Sequence, residues 1–253
     1  MSKAYPLEGV NINLSTPAAA RAEVLGRARA RRGFTLFTFN LDHLAKLLSD
    51  EDFRAAYAGA ELVSADGWPI VWLARRDGVS LERTCGSDLV EPICEDAARH
   101  DLATYFVGPR RIAQSLALRR LGDLYPGLRV AGAEAPQFGA RLQDGEVAAL
   151  ADRIRRSGAR LCFLCLGAPK QELLADRLSR ACPEVGFICV GAALDFISGL
   201  SRRAPAWARR LRAEWLWRLA SEPKRLFARY AHGGFLFLQL VLSKRISRTE
   251  VMI

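Results

Sequence analysis

Asp66 is a lone carboxylate at the end of an apolar run, followed by Gly67, which keeps the approach to it open. A carboxylate so placed can take a proton from a hydroxyl group. The commoner use of such an aspartate is to cap a helix, here one starting near Trp68, and the residues alone leave both uses open. Two other polar clusters follow apolar runs, Thr38-Phe39-Asn40 and Gly167-Ala168-Pro169-Lys170-Gln171-Glu172. In the second, a strand turns into a helix and offers free backbone N–H groups, a helix N-terminus and a lysine, together a cradle for an anion. It lacks the G-x-x-x-x-G-K-[ST] spacing of a Walker loop, and no G-x-G-x-x-G follows the first strand, which disfavours a dinucleotide cofactor. Thr38 and Asn40 can bind polar groups of a ligand, or Asn40 can cap the helix that contains His43 and Leu44. His43 is a rival base, with a proton affinity suited to the task. Gly86-Ser87-Asp88 reads equally as a ligand loop and as a loop with a helix cap at Ser87. Asp195 reads as structural, with a ligand role open. Three scattered histidines and no carboxylate triad give no metal site.

Short apolar runs alternate with helical stretches, which predicts an α/β fold with a parallel sheet covered by helices on both faces. The expected strands cover residues 10–13, 35–39, 62–65, 104–107, 129–131, 161–166 and 187–190. Thr16 and Pro17 mark the start of a first helix and Gly33 its end, and similar helices are expected at 109–125, 145–157 and 169–181. In open sheets of this kind ligands bind beyond the carboxyl ends of the strands, where all three polar clusters fall. Cys162 and Cys165 form a C-x-x-C inside one strand, so they point to opposite faces and cannot share a metal. Six cysteines in apolar or helical settings suit a reducing, cytoplasmic environment better than a disulfide framework.

Residues 202–248 carry twelve Lys or Arg against Glu214 and Glu222, while the other residues hold twenty-five of each sign and cancel. Seven aromatic residues, Trp207 and Trp215 among them, are threaded through the same segment. Basic heads beside apolar bodies suit an anionic membrane surface. The expected partition is therefore a soluble unit at 1–201 and a basic helical appendage at 202–253, with Pro205 and Pro223 opening helices at 206–220 and 224–241. No uncharged apolar run approaches the roughly 18 residues of a membrane span, and no secretory leader opens the chain. A nucleic-acid-binding protein would also be basic, but no nucleic-acid motif is present and the charge is confined to a segment rich in Trp and Leu. A non-catalytic membrane scaffold is a further class, disfavoured by the presence of Asp66 and Gln171.

The blocks T-F-N, A-D-G-W-P-I-V-W, E-R-T-C-G-S-D-L, L-G-A-P-K-Q-E, V-G-A-A-L-D-F-I-S-G, R-R-A-P-A-W, E-W-L-W-R-L and E-P-K-R-L-F-A-R-Y occur in this order between residues 38 and 230, within a likeness that spans about 7–230. In that order they resemble the WecG/TagA/CpsF family of bacterial glycosyltransferases. The resemblance implies transfer of a sugar from a UDP-sugar donor to a saccharide carried on undecaprenyl diphosphate, with inversion. N-acetylmannosamine is the first expectation, and glucose or a related hexose the alternative. It implies a Rossmann-like domain, no required metal or cofactor, no nucleic-acid partner, and an appendage that docks on the inner face of the plasma membrane and helps complete the site. Self-association into a homo-oligomer is left open. Asp66 becomes the proposed base, with Gly67 beside it, and Thr38, Asn40, Ser87, Asp88, Lys170 and Gln171 become substrate-binding residues. Without a metal, arginines must steady the diphosphate. Arg218, Arg225 and Arg229, at spacings of seven and four, are the candidates, although Pro223 interrupts the first interval. Two departures from the family pattern are Arg212-Ala213, where Gly-Leu is usual, and Cys85 before Gly86. Transfer activity is expected to persist in excess EDTA; loss of activity that Mg²⁺ or Mn²⁺ restores would overturn the metal-free expectation.

Overall fold

Five apolar runs, Phe34–Phe39, Leu62–Ala65, Thr104–Val107, Leu161–Leu164 and Gly186–Cys189, are buried at every position. Strands of that kind require a sheet covered on both faces. The computed structural model describes residues 4–139, 141–201, 204–205, 208, 214–221 and 223–250. In chain order the elements are β1 (Tyr5–Leu7), β2 (Val10–Ile12), α1 (Pro17–Arg29), β3 (Phe34–Phe39), α2 (Leu41–Ser49), α3 (Glu51–Ala58), β4 (Leu62–Ala65) and α4 (Trp68–Arg76). Next come α5 (Gly86–Arg99), β5 (Thr104–Val107), α6 (Arg111–Leu124), β6 (Val130–Glu134), α7 (Asp144–Ser157) and β7 (Leu161–Leu164). The chain closes with α8 (Lys170–Ala181), β8 (Gly186–Cys189), α9 (Ala193–Ile197), α10 (Glu214–Ser221) and α11 (Pro223–Glu250).

Strands β3 to β8 form one parallel sheet in the order β4-β3-β8-β7-β5-β6. Each crossover carries a helix back over the sheet, and the helices divide cleanly between its faces. Side chains from α2, α3, α4, α7 and α8 pack with Phe37, Phe39, Cys162, Leu164 and Phe187 on one face. On the other face α1, α5, α6 and α9 pack with Phe34, Leu36, Phe163, Cys165 and Ile188. The alternation along β7 and the residue after it sends Cys162 and Cys165 to opposite faces, as their odd spacing requires. All six cysteines are buried and free.

The expected strand at 10–13 is not a strand of the parallel sheet. It pairs antiparallel with β1 through a two-residue turn, Glu8-Gly9, in which both residues have positive φ. That turn folds the chain back on itself before it can join the sheet. Only the following residues reach the sheet: the Asn13 side chain exchanges hydrogen bonds with Glu61 O and Val63 N, and Leu14 N donates to Val63 O. They cover the edge of β4. Thr16 caps α1 through Ala19 N, as expected, but α1 ends at Arg29, before Gly33, which donates its N–H to Pro183 O at 2.9 Å instead.

Helix α11 packs on α2, with Gly233 buried against Leu41. Trp72 of α4 meets Phe237 edge-on at 5.5 Å, and Arg76 Nη1 donates to the Val241 carbonyl. Trp215 and Tyr230, 6.2 Å apart, join α10 to α11. Of the helix expected at 206–220, residues 214–220 are helical within α10; the intervening positions lie largely outside the described residues. The second expected helix is longer than 224–241 and runs to Glu250. Among the described residues no helix is long and apolar enough to cross a membrane.

Phe163, at the centre of β7, is fully buried and stacks on Phe106 at 4.9 Å. Phe163→Ala is expected to lower the unfolding free energy by about 3–5 kcal/mol, measured by urea denaturation.

Candidate active site

The loops that leave the carboxyl ends of β3 to β8 enclose a cleft of about 650 Å³. Thr38 and Asn40 follow from β3 and Asp66 from β4, while Arg110 comes from the loop after β5. Phe138 follows β6, Lys170 and Gln171 follow β7, and Gly191 follows β8. Two of these loops contain cis peptide bonds, Gly108–Pro109 and Ala168–Pro169. Three helices begin at the cleft wall: α5 at Gly86 and Ser87, α6 just after Arg110, and α8 at Lys170 and Gln171. The positive ends of their dipoles bring partial positive charge to one place.

Asp66 is not a helix cap. Helix α4 takes Gly67 as its N-cap, with φ +107°, and makes no side-chain capping bond. A left-handed φ of this kind is open to glycine at little cost and turns the chain directly after the carboxylate. Asp66 N donates to Phe39 O at 2.8 Å, which ties the residue to the end of β3. The guanidinium of Arg83 lies 3.6 Å from Asp66, 3.0 Å from Asp88 and 3.6 Å from Glu214 of α10. The sequence reasoning assigned Arg83 no role. A lone arginine in a polar loop gives no periodic signal, and only the packing of α10 against that loop reveals what it joins.

Asn40 does cap α2, accepting from Asp42 N at 3.0 Å and His43 N at 3.1 Å, and it also lines the cleft. Ser87 is not a cap; it lies within the first turn of α5, with its hydroxyl 3.2 Å from Cys85 Sγ, and it too lines the cleft. A Cβ on Gly86 would come within 2.9 Å of Cys189 O and 3.0 Å of Val190 Cα, so a glycine lets α5 start against the end of β8. Burial pushes the Cys85 thiol up to about 12, so this cleft residue is not a thiolate nucleophile at neutral pH. Lys170 Nζ donates to Phe138 O at 3.2 Å and bridges two loops of the cleft. Asp195 also lines the cleft, and burial raises its carboxyl above the ordinary range. Gly67 and Asp88 are neighbours of the site rather than parts of its wall. The side chains of Arg218, Arg225 and Arg229 lie outside the described residues.

His43 is buried, and its Nδ1 lies 2.6 Å from the hydroxyl of Tyr57. Burial raises the Tyr57 phenol well above its usual range, so it keeps its proton. If the hydroxyl donates to Nδ1, the ring carries its hydrogen on Nε2 and offers the cleft a donor; if Nδ1–H donates to the hydroxyl, Nε2 is left as an acceptor.

Gln171 completes the floor, with Glu172 buried behind it. Gln171 Oε1 accepts from Gly191 N at 3.0 Å, and its Nε2 donates to Glu172 Oε1 at 2.8 Å. Glu172 is fully buried, and burial pushes its carboxyl up to about 7. Glu172 received no role in the sequence reasoning: the apolar stripe of α8 passes through Leu174, Ala175 and Leu178, and Glu172 sits one residue off it.

The sequence model of the glycosyl transferase WecG/TagA/CpsF family matches residues 5–251, nearly the whole chain.

The raised Glu172 pKa has a definite effect on stability. The folded state binds this proton more tightly than the unfolded state does, so the contribution is fully present at low pH. It falls as pH rises from the unfolded value towards about 7 and is constant above. Glu172→Gln should remove on the order of 3 kcal/mol of this pH dependence, seen as the difference between wild-type and variant unfolding curves from pH 5 to pH 8.5.

Proposed function

Because the chain belongs to the WecG/TagA/CpsF family of glycosyl transferases, we propose that it moves a sugar from UDP to a saccharide carried on undecaprenyl diphosphate. As a member of that family it is a glycosyltransferase of cell-surface polysaccharide synthesis. The observation that carries the finer reading is the convergence of three helix N-termini, Arg110 and Lys170 on a cleft with a carboxylate, Asp66, in its wall. Helix N-termini and fixed cations suit a diphosphate that gains charge as it leaves. Asp66 suits the opposite need, a base for the attacking hydroxyl.

In the proposed step the acceptor oxygen attacks the anomeric carbon from the face opposite UDP. The new C–O bond forms as the bond to the diphosphate breaks, UDP departs with the electron pair, and the hydroxyl proton passes to Asp66. Inversion follows from the single displacement. His43, which lines the cleft and is bonded to Tyr57 through Nδ1, is assigned in this reading to hydrogen bonding with substrate. Thr38, Asn40, Ser87, Lys170 and Gln171 hold donor and acceptor. Gly67 and Asp88 act through their neighbours, Asp66 and Arg83. Arg218, Arg225 and Arg229 supply charge to the diphosphate. N-acetylmannosamine is the sugar proposed first, with glucose or a related hexose as the alternative, since discrimination among hexoses rests on a few pocket contacts.

Residues 202–253 serve in this reading as an anchor on the anionic inner face of the plasma membrane. The exposed side chains of Trp215, Leu216, Phe227, Phe235 and Leu238 on α10 and α11 support it, as does the net positive charge of this segment. Apolar and cationic groups together bind an anionic interface without a membrane span.

The test is a panel of UDP-sugars with a short-chain prenyl-diphosphate saccharide as acceptor, reading UDP release. Release with one sugar and only in the presence of acceptor is expected; none with any UDP-sugar would overturn the donor assignment. With the preferred sugar, Asp66→Asn is expected to keep donor binding and lower turnover by ~10²-fold or more. Near wild-type turnover in that variant would move the base elsewhere.

A further inference from the structure

Glu172 combines two features that sit poorly together in a purely structural residue. It is fully buried, yet its Oε2 has no hydrogen-bond partner among the described residues. Buried carboxyl oxygens are ordinarily satisfied, and one that is not calls for a reason. Its other oxygen accepts from Gln171, whose own carbonyl accepts from Gly191 N. The two bonds fix which end of the Gln171 amide is which, because the Gly191 N–H can only donate. One N–H and one lone pair of that amide are used in this way, and one of each remains for a molecule in the cleft that Gln171 lines.

The groups around Glu172 come from every element packed against the start of α8. Helix α2 brings Lys46 and Asp42, which pair with each other, and α3 brings Tyr57, hydrogen-bonded to His43. Strand β8 brings the Cys189 thiol, and β3 brings the uncharged rings of Phe37 and Phe39. Helix α7 meets α8 farther along, where Cys182 donates to Ala151 O, and Arg177 bonds the Leu142 carbonyl just ahead of α7. Burial holds the Glu172 carboxyl neutral; the Gln171 amide, Glu172's own backbone N–H and Lys46 favour its ionised form, Asp42 opposes it, and burial outweighs them.

The geometry points to Glu172 as a positioning residue for the donor: as a neutral acid it orients the Gln171 amide from behind the cleft, and its ionisation weakens the hold on an anionic nucleotide sugar. This inference rests on the proposed UDP-sugar donor. A proton on the unpartnered Oε2 leaves Oε1 as the acceptor for Gln171 and leaves the cleft floor uncharged. Loss of that proton sets a negative charge behind a cleft whose helix N-termini and cations face an anion, and it opposes them. The carboxyl titrates at about 7, so the change falls within the neutral range.

Two readouts on the full-length protein test it. The first is the affinity for UDP-N-acetylmannosamine, whose diphosphate does not titrate in this range, by calorimetry from pH 6 to pH 8.5. Wild type is expected to weaken by about tenfold or more, the scale of one added charge repelling the diphosphate through a partly shielded medium, while Glu172→Gln keeps one affinity throughout. The second needs no donor: the Gln171 side-chain amide and the Gly191 N–H, followed by NMR, should titrate together near neutrality in wild type and not in Glu172→Gln. Glu172→Ala, which removes the acceptor, should bind the donor more weakly at every pH; if it does not fold, the Glu172→Gln comparison decides alone. Parallel pH profiles in wild type and Glu172→Gln would overturn the proposal. If wild type binds no donor at any pH, the donor reading fails, and the amide titration still decides whether Glu172 holds Gln171: a shift shared by Gln171 and Gly191 supports it, and no shift overturns it.

Discussion

A parallel sheet buried on both faces has no surface of its own to give to a ligand. Its strands must be largely apolar along their length, and the polar groups that meet a ligand lie at the ends, where the chain turns into a helix. In this chain the constraint is severe, because β3, β4, β5, β7 and β8 are buried at every position. The turns at their carboxyl ends therefore hold the cleft residues together, although these are separated by more than a hundred positions along the chain. The position of Asp66 follows from this constraint. Its N–H is hydrogen-bonded to the end of β3, and Gly67 turns the chain away immediately after it.

The electrostatics of the cleft follow from the same arrangement. Helices α6 and α8 start where their strands end and α5 starts against the end of β8, so the three present their N-termini to one space. Their dipoles, with Arg110 and Lys170, favour negative charge there. The carboxylates are kept from dominating by different means. Arg83 lies among Asp66, Asp88 and Glu214, and Glu172 is sunk out of water, where its neutral form is favoured. Arg83 also ties the return of α10 to the residues of the core, so the C-terminal helices and the carboxylate at the end of β4 share one cation.

Much of this could be read from residue order. Buried strands separated by amphipathic helices have a pattern that depends only on local spacing, and five of the expected runs became neighbouring strands within a residue or two of their expected bounds. The sixth, at 129–131, became the edge strand β6, which extends three residues further. Thr38, Asn40, Asp66, Ser87, Lys170 and Gln171 were recognisable as candidates because turns after strands are where polar residues cluster, and all six line the cleft. The antiparallel hairpin at the start was not legible, because the positive φ of Glu8 is a conformational choice that residue type does not announce.

Tertiary structure alone decided the use of each polar group. Asn40 and Asp66 both precede helices, yet only Asn40 caps one, because the turn at Gly67 takes the chain away from Asp66. Arg83 and Glu214 are 131 positions apart and meet only because α10 folds back against the loop that carries Arg83. Glu172 looks like an ordinary acid in the first turn of a helix, where it would normally meet water. It is buried because α2, α3 and β8 close around that turn, and a burial made by distant segments leaves no mark on local spacing. Residue order thus determined which elements form and which of their ends are polar. Long-range packing decided which polar groups are satisfied, which are shielded from water, and which face the cleft.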